Sequence, residues 1–555
     1  MYKIKNKKIP EIRSPRVTVS QGVIEGKTVS QPGIVYNSFQ GIPYAKPPIG
    51  KRRFKNPKPA KPWQGILNAT QVGSACPQYD ELYLNKFYGE EDCLFLNIYV
   101  PKHNCHQKPP VLINIHGGGF LVGDGSPLVY GPENYIKAGI ILVTLNFRLG
   151  ALGFLSLNTP DVPGNAGLKD QVLALKWVKK NIAKFGGDEN KISIQGQGSG
   201  GASVIYHILS PLSKGMFNNA IIQSGSALDP WALQKHPESN AQKLAQILGI
   251  GNNTDIAAFL KTIPDKDIVS AARSEVFDDP VKLAFVPTIE KNQYYKQHHT
   301  YNKPFITSSP IDILKSGKIN KVNVIIGLTA NDGVARLTKQ FISPSINEAI
   351  VNDCIPDLRP FIPDEILANC GENETVEIET KMLEKYFPYS ENISDSLIHL
   401  YSDISFILNH ILSVQLLEKY SNSVNPNPVQ TPLMHLVWKP VSANNITGLD
   451  FTGNSTIISF PYEDVLKFWG DLAKICFKNE SFTPSREVVN GYTEPESCKQ
   501  ENNCDCGNKG HGKNGDHNNG YVHNIYHMFS GKGNKDSKEN TILHYLSVQL
   551  SRLFN

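Results

Sequence analysis

Short apolar runs bounded by turn residues recur through the first half of the chain. Val111-Leu112-Ile113-Asn114-Ile115 and Ile140-Ile141-Leu142-Val143-Thr144-Leu145 are nearly continuous, the pattern of strands buried on both faces. Lys191-Ile192-Ser193-Ile194-Gln195 alternates like a strand, and Gly201-Ala202-Ser203-Val204-Ile205-Tyr206 reads as the start of a helix. Between Leu168 and Phe185 the apolar residues Leu168, Val172, Leu175, Val178 and Ile182 fall at helical spacing, and Gly186-Gly187 ends that helix. Residues 15–100 read as strands and loops rich in Pro and Gly. Met434–Trp438 reads as a further strand, and a later helix carries Phe468-Trp469-Gly470-Asp471-Leu472. Strands alternating with helices predict an α/β fold with a large, mostly parallel central sheet and helices on both faces. There is no repeat at solenoid periods. A polar stretch from about Cys498 to Lys538 reads as a disordered loop or linker, and Thr541 to Phe554 as a short amphipathic helix.

Composition narrows the function classes. The chain has 555 residues, 40% of them apolar, enough for a sizeable core. A net charge of +5 is mild at this length and implies no nucleic-acid footprint. No apolar run approaches the roughly 18 residues needed to span a bilayer, so no transmembrane segment is expected. The basic start Met1-Tyr2-Lys3-Ile4-Lys5-Asn6-Lys7-Lys8 is not followed by an apolar stretch, so no signal peptide is visible in the chain. The nine cysteines are an odd number. Cys76 and Cys93 look like a loop-closing pair, and Cys354 with Cys370 is a candidate second. The pairing of Cys105, Cys354, Cys370, Cys476, Cys498, Cys504 and Cys506 is left open. The cluster Cys498, Cys504, Cys506, His511 and His517 fits no standard zinc spacing, so no metal and no cofactor is expected. Asn-x-Ser/Thr sequons occur at Asn68, Asn252, Asn373, Asn392, Asn445, Asn454 and Asn479, in a chain rich enough in Asn for several to arise by chance.

The motifs that carry a resemblance stand in a fixed order. They are Phe39-Gln40-Gly41-Ile42-Pro43-Tyr44-Ala45, Glu91-Asp92-Cys93-Leu94-Phe95-Leu96-Asn97, His116-Gly117-Gly118-Gly119-Phe120 and Asn146-Phe147-Arg148-Leu149-Gly150. Gly164-Asn165-Ala166-Gly167-Leu168-Lys169-Asp170-Gln171, Phe185-Gly186-Gly187-Asp188 and Gln223-Ser224-Gly225-Ser226 complete them. Over residues 15–483 the chain resembles the cholinesterase/type-B carboxylesterase family of α/β-hydrolases. On that reading 1–14 is an N-terminal tail, 484–540 a polar low-complexity insertion or linker and 541–555 a C-terminal helix. The resemblance implies the α/β-hydrolase fold and a nucleophile elbow of the form G-x-S-x-G between a strand and a helix.

In that register Gly196-Gln197-Gly198-Ser199-Gly200-Gly201 places Gly198 where the family has its serine. Gly118, Gly119 and Ser199 match the three oxyanion-hole positions. Shifting the register to use Ser199 as nucleophile puts Gln197 where the first glycine belongs, so Ser199 reads instead as a helix-start serine that caps backbone N–H groups. Asp332, in Gly327-Leu328-Thr329-Ala330-Asn331-Asp332-Gly333, falls on the acid position. The histidine slot falls on Phe451, and no histidine occurs from Lys439 to Lys467. Trp231 matches a gorge-lining position, with packing in the core as its other reading. The loop from Pro77 to Asp92 holds Tyr79, Tyr83, Phe87 and Tyr88 but no Trp, which argues against quaternary-ammonium recognition. These departures lead to the expectation of a chain that is not an enzyme. It would be an extracellular protein resembling the glutactin and neurotactin group, acting by adhesion to a protein partner, with a homodimer a further option. The alternatives are a binder of a small hydrophobic ligand in the emptied gorge, or a weak carboxylic-ester hydrolase working through Ser199.

Overall fold

A computed structural model describes residues 14–421, except 82–83, 103–106, 253, 278, 292–302 and 389–391, together with 447–450, 456–459 and 463–476. Eight strands form the central sheet: β1 (Lys27–Gln31), β2 (Ile34–Pro43), β3 (Phe95–Pro101), β4 (Val111–Ile115), β5 (Ile141–Leu145), β6 (Ile192–Gln197), β7 (Asn219–Gln223) and β8 (Asn323–Gly327). Their spatial order is β8-β7-β6-β4-β5-β3-β2-β1. The five strands β4 to β8 pair in parallel, and β5 with β3, β3 with β2 and β2 with β1 pair antiparallel. All five residues of β4 and of β5 are buried, as their continuous apolar runs predict for strands covered on both faces. The expected strands at Val111–Ile115, Ile140–Leu145 and Lys191–Gln195 are present within one or two residues, and β6 runs on to Gln197, which carries the chain to the elbow.

Helix α1 (Ala166–Asn181) covers one expected helical stretch and gives way to a 3-10 turn over Ile182–Phe185 before Gly186 turns the chain at φ 89°. Helix α2 (Ser199–Leu209) follows the elbow, and each of its residues is buried. The motifs just before and within α1 are held by ion pairs shut away from water. Arg148 grips Asp170 with two guanidinium bonds of 2.7 Å, and Lys169 Nζ lies 2.7 Å from Glu290. Asn165, at φ 53°, donates to both Thr288 and Glu290. Two separate apolar clusters pack on the sheet and together form its core, and a second core gathers α3 (Glu372–Tyr386), α4 (Ile393–Ser402), α5 (Leu408–Ser421) and α6 (Glu463–Cys476). Helices α4 and α5 join through a π-helical segment, Asp403–Ile407. Over Ile393–Leu417 this continuous helix is, by length and composition, the one among the described residues that could cross a membrane. Two thirds of its most apolar stretch is instead buried within the protein.

Two cysteine expectations fare differently. Cys76 and Cys93 form a disulfide. Cys370 pairs with Cys476, 106 residues away, and not with Cys354. Helix α6 brings Cys476 to the second core, a tertiary contact that local spacing does not reveal. The strand at Met434–Trp438 and the helix from Thr541 lie outside the described residues, as do Cys105, Cys498, Cys504 and Cys506. Among the described residues no cluster of His, Cys, Asp or Glu could hold a metal ion.

Candidate active site

The site assembles at the carboxyl ends of β4, β6, β7 and β8, where an open parallel sheet places its ligands. Gly198 caps α2 directly after β6, at φ 56° and ψ −122°. A positive φ of this kind favours glycine and is the sharp strand-to-helix turn that an elbow needs. A Cβ built on Gly198 would meet nothing within 4 Å among the described residues, whereas one on Gly225 would fall 2.0 Å from the Gly198 carbonyl oxygen. The turn after β7 is therefore packed against the back of the elbow, while no described residue closes its front.

Ser199 is the first residue of α2 and is only 1% exposed. The expected capping role is not what the structure shows. Its Oγ makes no hydrogen bond among the described residues, and the helix has no side-chain cap. A buried hydroxyl left unpaired costs about 1–3 kcal/mol, which marks the position as one where some other demand outweighs stability.

The oxyanion loop leaves β4 through His116. Gly118 and Gly119 both take positive φ, at 113° and 63°. The loop touches the elbow: a Cβ on Gly117 would lie 2.5 Å from the Gln197 carbonyl oxygen. Gly117 N donates to the Tyr130 hydroxyl at 3.3 Å, and Gly125 N to Asn146 Oδ1 at 2.8 Å. His116 stacks on Phe147, and burial holds its imidazole below the usual pKa, so it is neutral at pH 7. The half-buried ring of Phe341 closes over Gly119, with Cε1 2.6 Å from where a Cβ would stand. Phe341 carries no sequence signal of its own, because only the fold brings the segment after β8 to the oxyanion loop.

Asp332 follows β8. Its Oδ2 accepts from Thr329 N at 3.1 Å, its Oδ1 from Thr329 Oγ1, and the Ser224 side chain also bonds it. Burial pushes its carboxyl above the ordinary carboxylate range. Behind it lies a buried polar group that sequence reasoning missed. Asp229 Oδ2 accepts from Ser226 N at 2.7 Å, and Ser226 Oγ bonds Ser413 Oγ of α5 at 2.7 Å. Desolvation raises the Asp229 carboxyl well above the usual range. Trp231 is 4% exposed, donates Nε1–H to Ser405 O at 2.9 Å and packs on Phe406. That packs it in the core, the second of its two readings. Phe451 lies outside the described residues. Of the sequon residues, Asn68, Asn252, Asn373 and Asn392 are exposed, and Asn445, Asn454 and Asn479 lie outside the described residues.

A parallel-sheet elbow beside a glycine cradle and a seated carboxylate defines the hydrolase class. The carboxylesterase family model matches residues 13–440, and the chain belongs to the carboxylesterase family. It is similar to the juvenile hormone esterase of Tribolium castaneum, 40% identical over 330 residues, or 58% of this chain and 55% of that protein. It is also 37% identical to a carboxylic ester hydrolase of Bombus ignitus over 431 residues, 76% of this chain and 74% of the relative. With the venom carboxylesterase-6 of Apis mellifera it shares 35% over 437 residues, 75% of this chain and 74% of that protein. Against the first of these relatives the chain spans little more than half the length.

These relatives correct the expectation that the chain is not an enzyme. Each is named as an esterase or ester hydrolase, at 35–40% identity. The expectation rested on Gly198 and on an alignment of Phe451 that falls beyond the family match at residue 440.

Proposed function

We propose that the protein is a carboxylic-ester hydrolase of low turnover, with Ser199 as the attacking group. The observation that carries this is the Ser199 hydroxyl, buried one residue past the elbow glycine and without a hydrogen-bond partner among the described residues. Ser199 Oγ would add to the ester carbonyl carbon while its proton passes to a base. The carbonyl electron pair moves onto oxygen and is held by backbone N–H groups of Gly118, Gly119 and Ser199. Collapse expels the alcohol, which takes up the proton, and water repeats the sequence to release the acid. Phe451, the position to which the resemblance assigns the base, lies outside the described residues. The turnover is low because one step into a helix swings a side chain by about 100° from the family's nucleophile direction.

The test is reaction with a fluorophosphonate probe and with p-nitrophenyl acetate, for the natural chain and for Ser199→Ala. Expected are a phosphonylated Ser199 in the peptide map and turnover that Ser199→Ala abolishes. No label and no hydrolysis above buffer would overturn the reading. Saturable binding of a hydrophobic ketone in that case would favour the small-ligand binder, which the front of Gly198, closed by no described residue, supports. We also infer an extracellular working environment. Its support is the pair of disulfides, which persist in oxidising compartments, and a relative whose name places it in venom.

A further inference from the structure

Gln78 lies two residues beyond Cys76, in the short strand Gln78–Asp80, and is completely buried. Its carboxamide is committed to three bonds. Oε1 accepts from Gly123 N at 2.7 Å, and Nε2 donates to Gly123 O at 3.0 Å and to Cys76 O at 3.0 Å. Both polar groups of one residue, Gly123, are thus held by one side chain. That side chain is rooted beside the Cys76–Cys93 disulfide.

Gly123 is the far post of the oxyanion loop. A Cβ there would lie 2.5 Å from His116 Nδ1 and 2.6 Å from Gly117 O, so its backbone bears directly on the base of the loop. The preceding residue, Val122, presses its carbonyl oxygen against Gly118, 2.1 Å from where a Cβ would be. The contacts run without a gap from Cys76 through Gln78 and Gly123 to His116, Gly117 and Gly118.

We propose that Gln78 is a positioning residue of the oxyanion cradle, transmitting the rigidity of the disulfide-closed loop to the Gly118 and Gly119 amides. The proposal rests on the reading that this cradle holds an ester's carbonyl oxygen. Donors of this kind stabilise a developing charge only while fixed before it appears, and losing one outright costs about 10²–10³ in kcat. Gln78 does not touch the substrate. Its loss loosens the donors and does not remove them, so a smaller effect is expected.

The experiment compares the natural chain with Gln78→Met, which keeps the volume and removes all three bonds, and Gln78→Glu, which keeps an acceptor for Gly123 N. Amide hydrogen exchange is read over residues 117–123, with β4 as internal control of folding. Alongside it, p-nitrophenyl acetate kinetics and calorimetric binding of butylphosphonate are measured. Gln78→Met is expected to exchange more than tenfold faster over 117–123 with β4 unchanged. Its kcat should fall roughly tenfold to a hundredfold at constant KM. Gln78→Glu should lie between, and it supplies the comparison if Gln78→Met does not fold. Exchange over 117–123 equal to that of the natural chain would overturn the proposal. If the natural chain neither hydrolyses the ester nor binds butylphosphonate, the ester reading fails, and the exchange arm still decides whether Gln78 fixes the loop.

Discussion

At the scale of single residues, Gly198 and Ser199 divide what one serine does in an ordinary elbow. Gly198 has the backbone conformation, φ 56° and ψ −122°, and a front that no described residue closes. Ser199 has the hydroxyl. The division suggests restoring the function at one position. Gly198→Ser places its Cβ where no described residue comes within 4 Å, so the cost expected from the described structure is the strain of a side chain at positive φ, about 1–3 kcal/mol. The expected outcome is a rise of at least roughly tenfold in p-nitrophenyl acetate turnover, with phosphonylation moving from Ser199 to residue 198 and a lower melting temperature. A variant that loses stability without gaining rate would mean that no base reaches the elbow. The glycine was legible in the sequence because the motif around it is short and ordered. The unpartnered state of Ser199 was not, since a hydroxyl at a helix start looks the same on paper whether or not it caps.

Among the elements, α2 shows how a helix can be specified by its polar residues. It is buried all round, and beyond Ser199 its polar side chains find partners inside. Ser203 Oγ donates to Ser199 O at 2.8 Å, one turn back. His207 lies between Ser213 Oγ at 2.8 Å and Gln171 Oε1 at 2.9 Å. The second of these needs an N–H on Nε2, so Nδ1 is the acceptor and the ring is neutral. Burial lowers its pKa to about 3. Between that value and about 6.5, the ordinary value in the unfolded chain, the unfolded state binds the extra proton. Stability is therefore full above about pH 6.5 and falls by about 1.4 kcal/mol per unit as pH drops toward 3. Other groups titrate in the same window, so the measurement is a comparison. Urea midpoints at pH 7.5 and 5.5 should separate more for the natural chain than for His207→Gln. Equal separations would show that His207 is not the neutral, buried group described here. The strand runs and the helical spacing from Leu168 onward announced these elements well, because burial on both faces leaves an uninterrupted apolar record. The partners of His207 left none, since Gln171 and Ser213 lie on other segments and only packing joins them.

For the molecule as a whole, the division into two cores matters most. The sheet and its motifs form one, and the helices from Glu372 to Cys476 form the other, held to the C-terminal part of the described chain by Cys370–Cys476. The sequence spoke clearly for the first core, whose ion pairs lie in the motif residues Arg148, Lys169 and Asp170. It left the second open, with nearby Cys354 only a candidate partner for Cys370, because proximity in sequence says nothing about a helix that returns from 106 residues away. A crosslink closing a loop of that length removes a large share of unfolded-chain entropy, with typical effects of about 2–4 kcal/mol. Replacing both Cys370 and Cys476 with serine is expected to lower stability by about that amount, and to do so unevenly. Exchange protection should fall first in α3 and α6, while β4, β6 and the oxyanion loop keep theirs at 25 °C. Ester turnover should then be unchanged well below the melting temperature, because the cradle is braced by the other disulfide, Cys76–Cys93. A loss of protection spread evenly over both cores would show that they unfold as one unit, with the distal crosslink supporting the site as well.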